Sequence, residues 1–291
     1  MDLGERRGKV MGGAYRLFYD QPLTLARGEG VWLYDADGRA WLDVYNNVPI
    51  VGHCHPRVVE AVCRQLATLN THTRYLHEGV VAYAERLVAG FPDPLDRVMF
   101  ACSGTEAVEL ALRVARAHTG GSGIVVTENA YHGNSWAVSQ ISPEEPSPDV
   151  RGEHVVTVPA PDTYRGFAGS DPDAANHFVD HLEAAIATLG SRGIEPAAFI
   201  LDTVCSSEGM VRMPPGYLQK AARSIREAGG VYIADEVQAG FGRTGDHFWG
   251  FEKHGVIPDI VTLGKPMGNG YPISAMLARH DVLESFSDRA S

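Results

Sequence analysis

From Arg97 onward the chain alternates short apolar runs with helical patterns, and that alternation limits the fold more than any other feature. Runs suited to strands stand at residues 97–102, 124–127, 155–158, 199–204, 231–234 and 260–263. Apolar residues at helical spacing lie between several of them, at 105–118, 178–189 and 216–228. Strands and helices in alternation predict an α/β fold, a mostly parallel sheet with helices on its faces. Ligands of such sheets bind where strands end and loops or helices begin. The residues to inspect for chemistry are therefore those just after each apolar run.

The stretch before Arg97 has a different texture. Residues 30–34 alternate, Asp35-Ala36-Asp37-Gly38 has a turn composition, and 39–43 follow as a second strand, which reads as a short hairpin. A helical pattern starts at Pro56 and runs through Val58, Val59, Val62 and Leu66, and another covers 80–88. These pieces predict a small N-terminal subdomain with a linking helix over 1–75 and a large domain over 76–291. Residues 141–173, rich in Pro, Asp, Ser and Gly, read as a surface excursion broken by one strand, and 282–286 as a helical fragment near the end.

Composition excludes whole classes. A formal net charge of -11, with no run of Lys and Arg, does not suit a nucleic-acid binder, whose phosphate contacts need clustered cations. No stretch approaches the roughly 18 uninterrupted apolar residues of a membrane helix, and Met1 to Val10 lack the apolar core of a signal peptide. The four cysteines, Cys54, Cys63, Cys102 and Cys205, read as small core residues of a reducing compartment rather than a disulfide framework. The expectation is a cytoplasmic α/β protein. His53-Cys54-His55 suggests a metal, but no second pair at zinc spacing follows, so no metal is expected.

Four strand-end segments carry the chemistry. Lys265 ends the run Val261-Thr262-Leu263-Gly264, and the glycines around it leave room for a flat ring; as a nucleophile it needs partial desolvation. A solvated lysine in a glycine-rich loop has the same local sequence. Asp235 ends Val231-Tyr232-Ile233-Ala234, where a carboxylate either pairs with a protonated ring nitrogen or caps the next helix. Gln238 stands three residues on. Ser103-Gly104-Thr105-Glu106 joins a strand to a helix start, a setting for a bound phosphate and also a Ser-x-x-Glu capping box. Tyr131-His132-Gly133 follows residues 124–127 and offers a ring to stack on a flat cofactor, or a plain turn.

Together, Ser-Gly-Thr-Glu-Ala, Tyr-His-Gly, Asp-Glu-Val-Gln-Ala-Gly-Phe-Gly-Arg and Gly-Lys-Pro-Met-Gly-Asn-Gly resemble the class III aminotransferases, enzymes of fold type I that depend on pyridoxal 5′-phosphate (PLP). The thirty-residue gap from Asp235 to Lys265 fits the same family, as do Asn46-Asn47-Val48 and Gly52-His53-Cys54-His55-Pro56. The resemblance implies that Lys265 forms the Schiff base and that Asp235 pairs with the pyridine nitrogen. It implies further that Ser103, Gly104 and Thr105 hold the phosphate, that Tyr131 or His132 stacks on the ring, and that Gln238 bonds its phenolic oxygen. Tyr45, Asn46, Glu208 and Arg243 are implied near the substrate. The surroundings of Glu208 depart from the Glu-Pro sequence of the commonest members.

The implied activity is transfer of an amino group between an amine or amino acid and a keto acid, by a homodimer. Lys265 would serve first as nucleophile and then as general base. The wording of the 46–56 and 265–270 segments looks particularly like the branch of phospho-lyases acting on phosphoethanolamine and phosphohydroxylysine. Elimination of phosphate is therefore the alternative, with Arg165 or Arg243 as cations for the substrate. A third expectation follows from the family's C-terminal subdomain, which has no counterpart before Ser291: a PLP-binding but catalytically incomplete chain.

Overall fold

The computed structural model describes residues 2–144, 151–165 and 171–290. Parts of the expected 141–173 excursion, residues 145–150 and 166–170, lie outside the described residues. The chain divides into two compact units, Met1–Thr71 and His72–Ser291, where the sequence reading put its boundary after residue 75.

In the first unit, helix α1 (Leu3–Val10) starts at a capping box that the sequence reading passed over. The Asp2 carboxylate accepts from the Glu5 N–H at 2.8 Å, and the Glu5 carboxylate accepts from the Asp2 N–H. Strands β1 (Leu25–Glu29), β2 (Trp32–Asp35) and β3 (Ala40–Leu42) form an antiparallel sheet in that order. The expected hairpin is its second half, β2 to β3. Asp35 holds the turn, accepting from the N–H groups of Asp37 and Arg39 and from the Trp41 indole, while Gly38 supplies the positive φ of 81°. Helix α2 (Pro56–Thr68) begins with proline in its first turn, where the missing N–H is no loss.

The second unit opens with α3 (Glu78–Val88) and then builds, among the described residues, a seven-stranded sheet. Its strands are β4 (Leu95–Ala101), β5 (Gly123–Thr127), β6 (Val155–Val158), β7 (Pro196–Asp202), β8 (Val231–Asp235), β9 (Ile260–Leu263) and β10 (Ser274–Arg279). They stand in the order β4-β10-β9-β8-β7-β5-β6. The pairings among β5 to β9 are parallel, and β10 runs antiparallel to β4 and β9 on its two sides. Each of the six expected strands is present, β6 and β9 with the expected ends and the other four with ends moved by one to three residues. The chain connections are α4 (Gly104–Thr119), α5 (Trp136–Ser139), α6 (Ala174–Ser191), α7 (Tyr217–Glu227), a 3-10 turn (Gly250–His254) and, after β10, α8 (His280–Ala290).

The strand period of two explains why β7 reads as a continuous apolar run. Phe199 and Leu201 face one layer, packed with Phe178, Leu182, Leu218 and Ile225 from α6 and α7. Ala198 and Ile200 face the other, packed with Val108, Ala111 and Ala115 of α4 and Val282 of α8. Every residue of β7 is buried. The structure corrects the reading of the cysteines: Cys54, Cys63 and Cys102 are exposed and Cys205 is buried. Cys102 lies one residue past the end of β4, where side chains leave the packed sheet, and apolar neighbours in sequence do not alter that.

Strand β10, absent from the expectation, is held by a buried clasp. Asp259, ahead of β9, accepts from the Tyr232 N–H of β8 at 2.9 Å, from Arg226 Nε of α7 at 2.8 Å and from Arg279 Nη1 of β10 at 2.8 Å. Asp259 is 1% exposed, whereas the two guanidinium groups keep about a third of their surface in water. Asp259→Ala leaves the buried Tyr232 N–H without its acceptor and takes a carboxylate from two arginines, which keep Ile257 and Asp281. We expect a loss of about 2–4 kcal/mol in urea unfolding, below the full buried-pair penalty because both arginines stay hydrated.

Candidate active site

The parallel register brings three strand ends together. Asp202, the last residue of β7, is paired in register with Asp235, the last of β8, and Asp235 with Thr262 of β9. Asp235 is 4% exposed. Its Oδ1 accepts from the Val237 N–H at 3.0 Å and the Thr262 hydroxyl at 3.2 Å, and its Oδ2 meets Nδ1 of His132 at 2.5 Å. An acceptor-only carboxylate places the proton of that contact on Nδ1. Asp202 accepts from the N–H groups of Val204 and Ser206 and from the Ser206 hydroxyl. Burial, and then the charge of Asp235, push its carboxyl above the ordinary range.

Lys265 stands two residues beyond β9, and its Nζ donates to Gln238 Oε1. Burial pulls its amine below the usual lysine value; Asp235 and Asp202 pull it back, and the nearby Arg243 cation lowers it again. Arg243 Nε donates to the Gln238 backbone oxygen at 2.6 Å, so one glutamine ties both cations to the segment after β8. Val237 packs this segment against its neighbours. A Cβ on Gly104 would lie 2.8 Å from Val237 Cγ1, and one on Gly264 would lie 3.0 Å from the same atom. Glycine at both positions lets the start of α4 and the Lys265 loop close on Val237.

At the start of α4 only half of the expected capping box forms, the Ser103 side chain on the Glu106 N–H; the returning bond goes to the residue before the cap. Ser103 accepts from the Glu106 N–H, and the Glu106 carboxylate accepts from the Cys102 N–H at 2.9 Å and from the Ser103 hydroxyl. The Gly104 and Thr105 N–H groups are first-turn donors, which have no acceptor within the helix. The Thr105 hydroxyl donates to Asn134 Oδ1 at 3.2 Å and accepts from the Asn134 N–H. A Cβ on Gly133, at φ 141°, would fall 2.5 Å from that hydroxyl oxygen. The loop carrying Tyr131 and His132 is thereby fixed to the helix start. His132 is buried, with its N–H on Ser142 Oγ at 3.0 Å.

Glu208 comes to the same edge from the other side. Thr127, which ends β5, donates its hydroxyl to Glu208 Oε1. Burial raises the Glu208 carboxyl above the usual range. Lys265, Asp235, His132, Gln238 and Arg243 thus form one linked group, with Ser103, Gly104, Thr105 and Tyr131 at the adjoining helix start. Arg165 is an exposed side chain 3.8 Å from Asp162.

Tyr45 and Asn46 belong to the other unit. Their N–H groups donate to Asp43, which also accepts from the Asn46 amide and contacts His53 Nε2 at 2.6 Å. Burial raises the Asp43 carboxyl, but these four contacts outweigh it and hold the group at about 2. Asp202 and Thr262 escaped the sequence reading. Phe-Ile-Leu-Asp at 199–202 repeats the pattern of Tyr-Ile-Ala-Asp at 232–235 and was the available signal. Among the described residues no group of three or more His, Cys, Asp or Glu could hold a metal ion, and no helix is long and apolar enough to cross a membrane.

The chain is 40% identical over 288 residues to an alanine–glyoxylate aminotransferase 2-like protein of Drosophila melanogaster, covering 96% of this chain and 58% of the relative. It is 36% identical to ethanolamine-phosphate phospho-lyase homolog 1 of Caenorhabditis elegans, covering 97% and 63%. Among solved structures, a phospholyase from Arthrobacter in complex with phosphoethanolamine superimposes with a TM-score of 0.95 at 45% identity, over 99% of this chain and 68% of the other. A thermostable four-fold mutant of an omega transaminase from Pseudomonas jessenii gives 0.89 at 25%, over 100% and 68%. The chain spans 57 to 63% of the length of the curated relatives it matches. The model of the class III aminotransferases matches residues 18–290, and the chain belongs to that PLP-dependent family.

Proposed function

We propose that Lys265 captures PLP as a Schiff base and that the reaction served there is elimination of phosphate from a small phosphorylated amine. The observation that carries the cofactor reading is the setting of Lys265. A partly desolvated amine stands at a strand end, on the edge that holds the buried Asp235 carboxylate. The chain's groups fit the cofactor. Asp235 offers an ionisable carboxylate to the pyridine nitrogen. Ser103 and the Gly104 and Thr105 N–H groups offer donors to the phosphate at a helix start. Tyr131 offers a ring for the flat face, and Gln238 offers its amide to the phenolic oxygen.

When bound, the cofactor supplies an electron sink for the carbon that bears the substrate nitrogen. Lys265 removes the proton from that carbon, which requires its neutral form, and burial favours that form. Arg243, held by Gln238, brings positive charge to the same pocket and suits the phosphate of the substrate. The identity of 45% to the Arthrobacter phospholyase, against 25% to the omega transaminase, favours elimination. Transamination between an amino acid or amine and a keto acid is the second reading, favoured by the 40% identity to the Drosophila relative. Exposed apolar residues on α2, Val59 and Leu66, support assembly as a homodimer.

Purified chain mixed with PLP is expected to develop a visible absorption band that Lys265→Ala abolishes. Phosphate released from phosphoethanolamine without a keto acid supports elimination. Amino transfer that depends on a keto acid, with no phosphate released, replaces it with transamination. The rate at which the band develops also tests the electrostatics. Capture needs neutral Lys265, so its pH midpoint follows the lysine. Arg243→Gln removes a repelling cation, raises the lysine pKa and moves the midpoint to higher pH. Asp235→Asn removes an attracting carboxylate and moves it lower. Equal midpoints in the three proteins would refute this account of Lys265.

A further inference from the structure

Two buried side-chain atoms at the site, His132 Nε2 and Glu208 Oε2, lack a hydrogen-bond partner among the described residues. Each belongs to a group anchored at its other end. His132 is fixed through Nδ1 to Asp235 and through its N–H to Ser142, and Glu208 through Oε1 to the Thr127 hydroxyl. Thr127 is fully buried at the end of β5, His132 follows it by five residues, and Glu208 follows the neighbouring strand β7. Both residues therefore follow the same ends of adjacent strands. The orphan atoms are chemically complementary, a ring nitrogen and a carboxylate oxygen, and the charge of His132 acts on the Glu208 carboxyl, as does that of Asp202. Leaving both unpaired in a buried site is unfavourable for each. A water between them satisfies both, since buried waters occupy polar gaps of this kind.

We propose that Glu208 is a positioning residue that acts on Asp235 through His132, the two orphan atoms being joined by one buried water into an Asp235–His132–Glu208 chain. Glu208 then touches no substrate. It sets the tautomer and orientation of the imidazole, which keeps Nδ1–H on Asp235, as outer carboxylates do for histidines at other sites. Asp235 is in turn held in place for the cofactor nitrogen; that last link rests on the cofactor reading above, while the chain of contacts does not.

The first test needs no cofactor. In the 291-residue chain labelled with 15N-histidine, the His132 signals are assigned by their loss in His132→Asn. Glu208→Gln is expected to shift the Nε2 signal. Thr127→Val releases the Glu208 carboxylate from its anchor without changing its charge, and should shift the same signal. It keeps the test decisive where Glu208→Gln folds poorly by circular dichroism. An Nε2 signal unmoved by both variants overturns the proposal.

The second test is a double-mutant cycle on PLP affinity, read by absorbance titration. Glu208→Gln should weaken binding about threefold or more in the wild-type background and have no further effect beside His132→Asn. Full additivity overturns the proposal, because Glu208 would then act without the imidazole. If wild type gives no Lys265-dependent band, the cofactor reading fails, and the histidine spectra still decide the relay.

Discussion

Two carboxylates on neighbouring parallel strands, Asp202 and Asp235, end side by side at the buried edge of the sheet, and the site is arranged around the repulsion between them. Both lie where water cannot screen them, so each must be stabilised by donors of the chain itself. Asp202 turns onto its own loop and takes the N–H groups of Val204 and Ser206. Asp235 takes the Val237 N–H, the Thr262 hydroxyl and the His132 ring. Burial and the facing charge push the Asp202 carboxyl upward. The loops after β5, β7 and β8 are shaped by these hydrogen bonds as much as by any packing.

Lys265 is coupled to the same pair. Its ammonium form is attracted by both carboxylates, yet burial outweighs them, with Arg243 adding to burial, and the net direction is toward the neutral amine. Gln238 stands between the two cations, accepting from Lys265 through its side chain and from Arg243 through its backbone. Moving any of the three charged partners alters the proportion of reactive lysine. Specific donors, a buried carboxylate and a desolvated amine on one sheet edge are thus a single electrostatic system.

The sequence discloses the parts of this arrangement that depend on local pattern. Strands β5 to β9 could be read because each is apolar on both faces, and the Ser103 cap of α4 because Ser-x-x-Glu has a period of three residues. Strand β10 could not. Ser-Ala-Met-Leu-Ala-Arg has little β preference of its own, and pairing with β4 and β9 and the hold of Asp259 on Arg279 make it a strand. Helix α1 was missed because a charged, weakly apolar segment carries no helical stripe, although Asp2 and Glu5 announce its cap. The contacts of the site are harder still. His132 and Asp235 are 103 positions apart and Thr127 and Glu208 are 81 apart, so only the strand order brings either pair together. The Gln238 contact with Lys265 was equally hidden, since nothing local tells a glutamine which partner the fold will bring.

The two proposed reactions share their first chemical demand, and this bears on where their difference resides. Elimination and transamination both need the proton removed from the carbon beside nitrogen, and in either reading Lys265 does this with Asp235 behind the ring. The linked group of Lys265, Gln238, Asp235 and His132 is therefore neutral between them. The outcome turns on whether the neighbouring carbon carries a leaving group and whether a cation stands by to accept its negative charge. Arg243 is tied to Gln238 through its Nε, and that tether orients the guanidinium relative to the lysine. On the proposed reading, selectivity would rest with Arg243 and with the loops beyond the sheet edge, where segments with the same core are free to diverge.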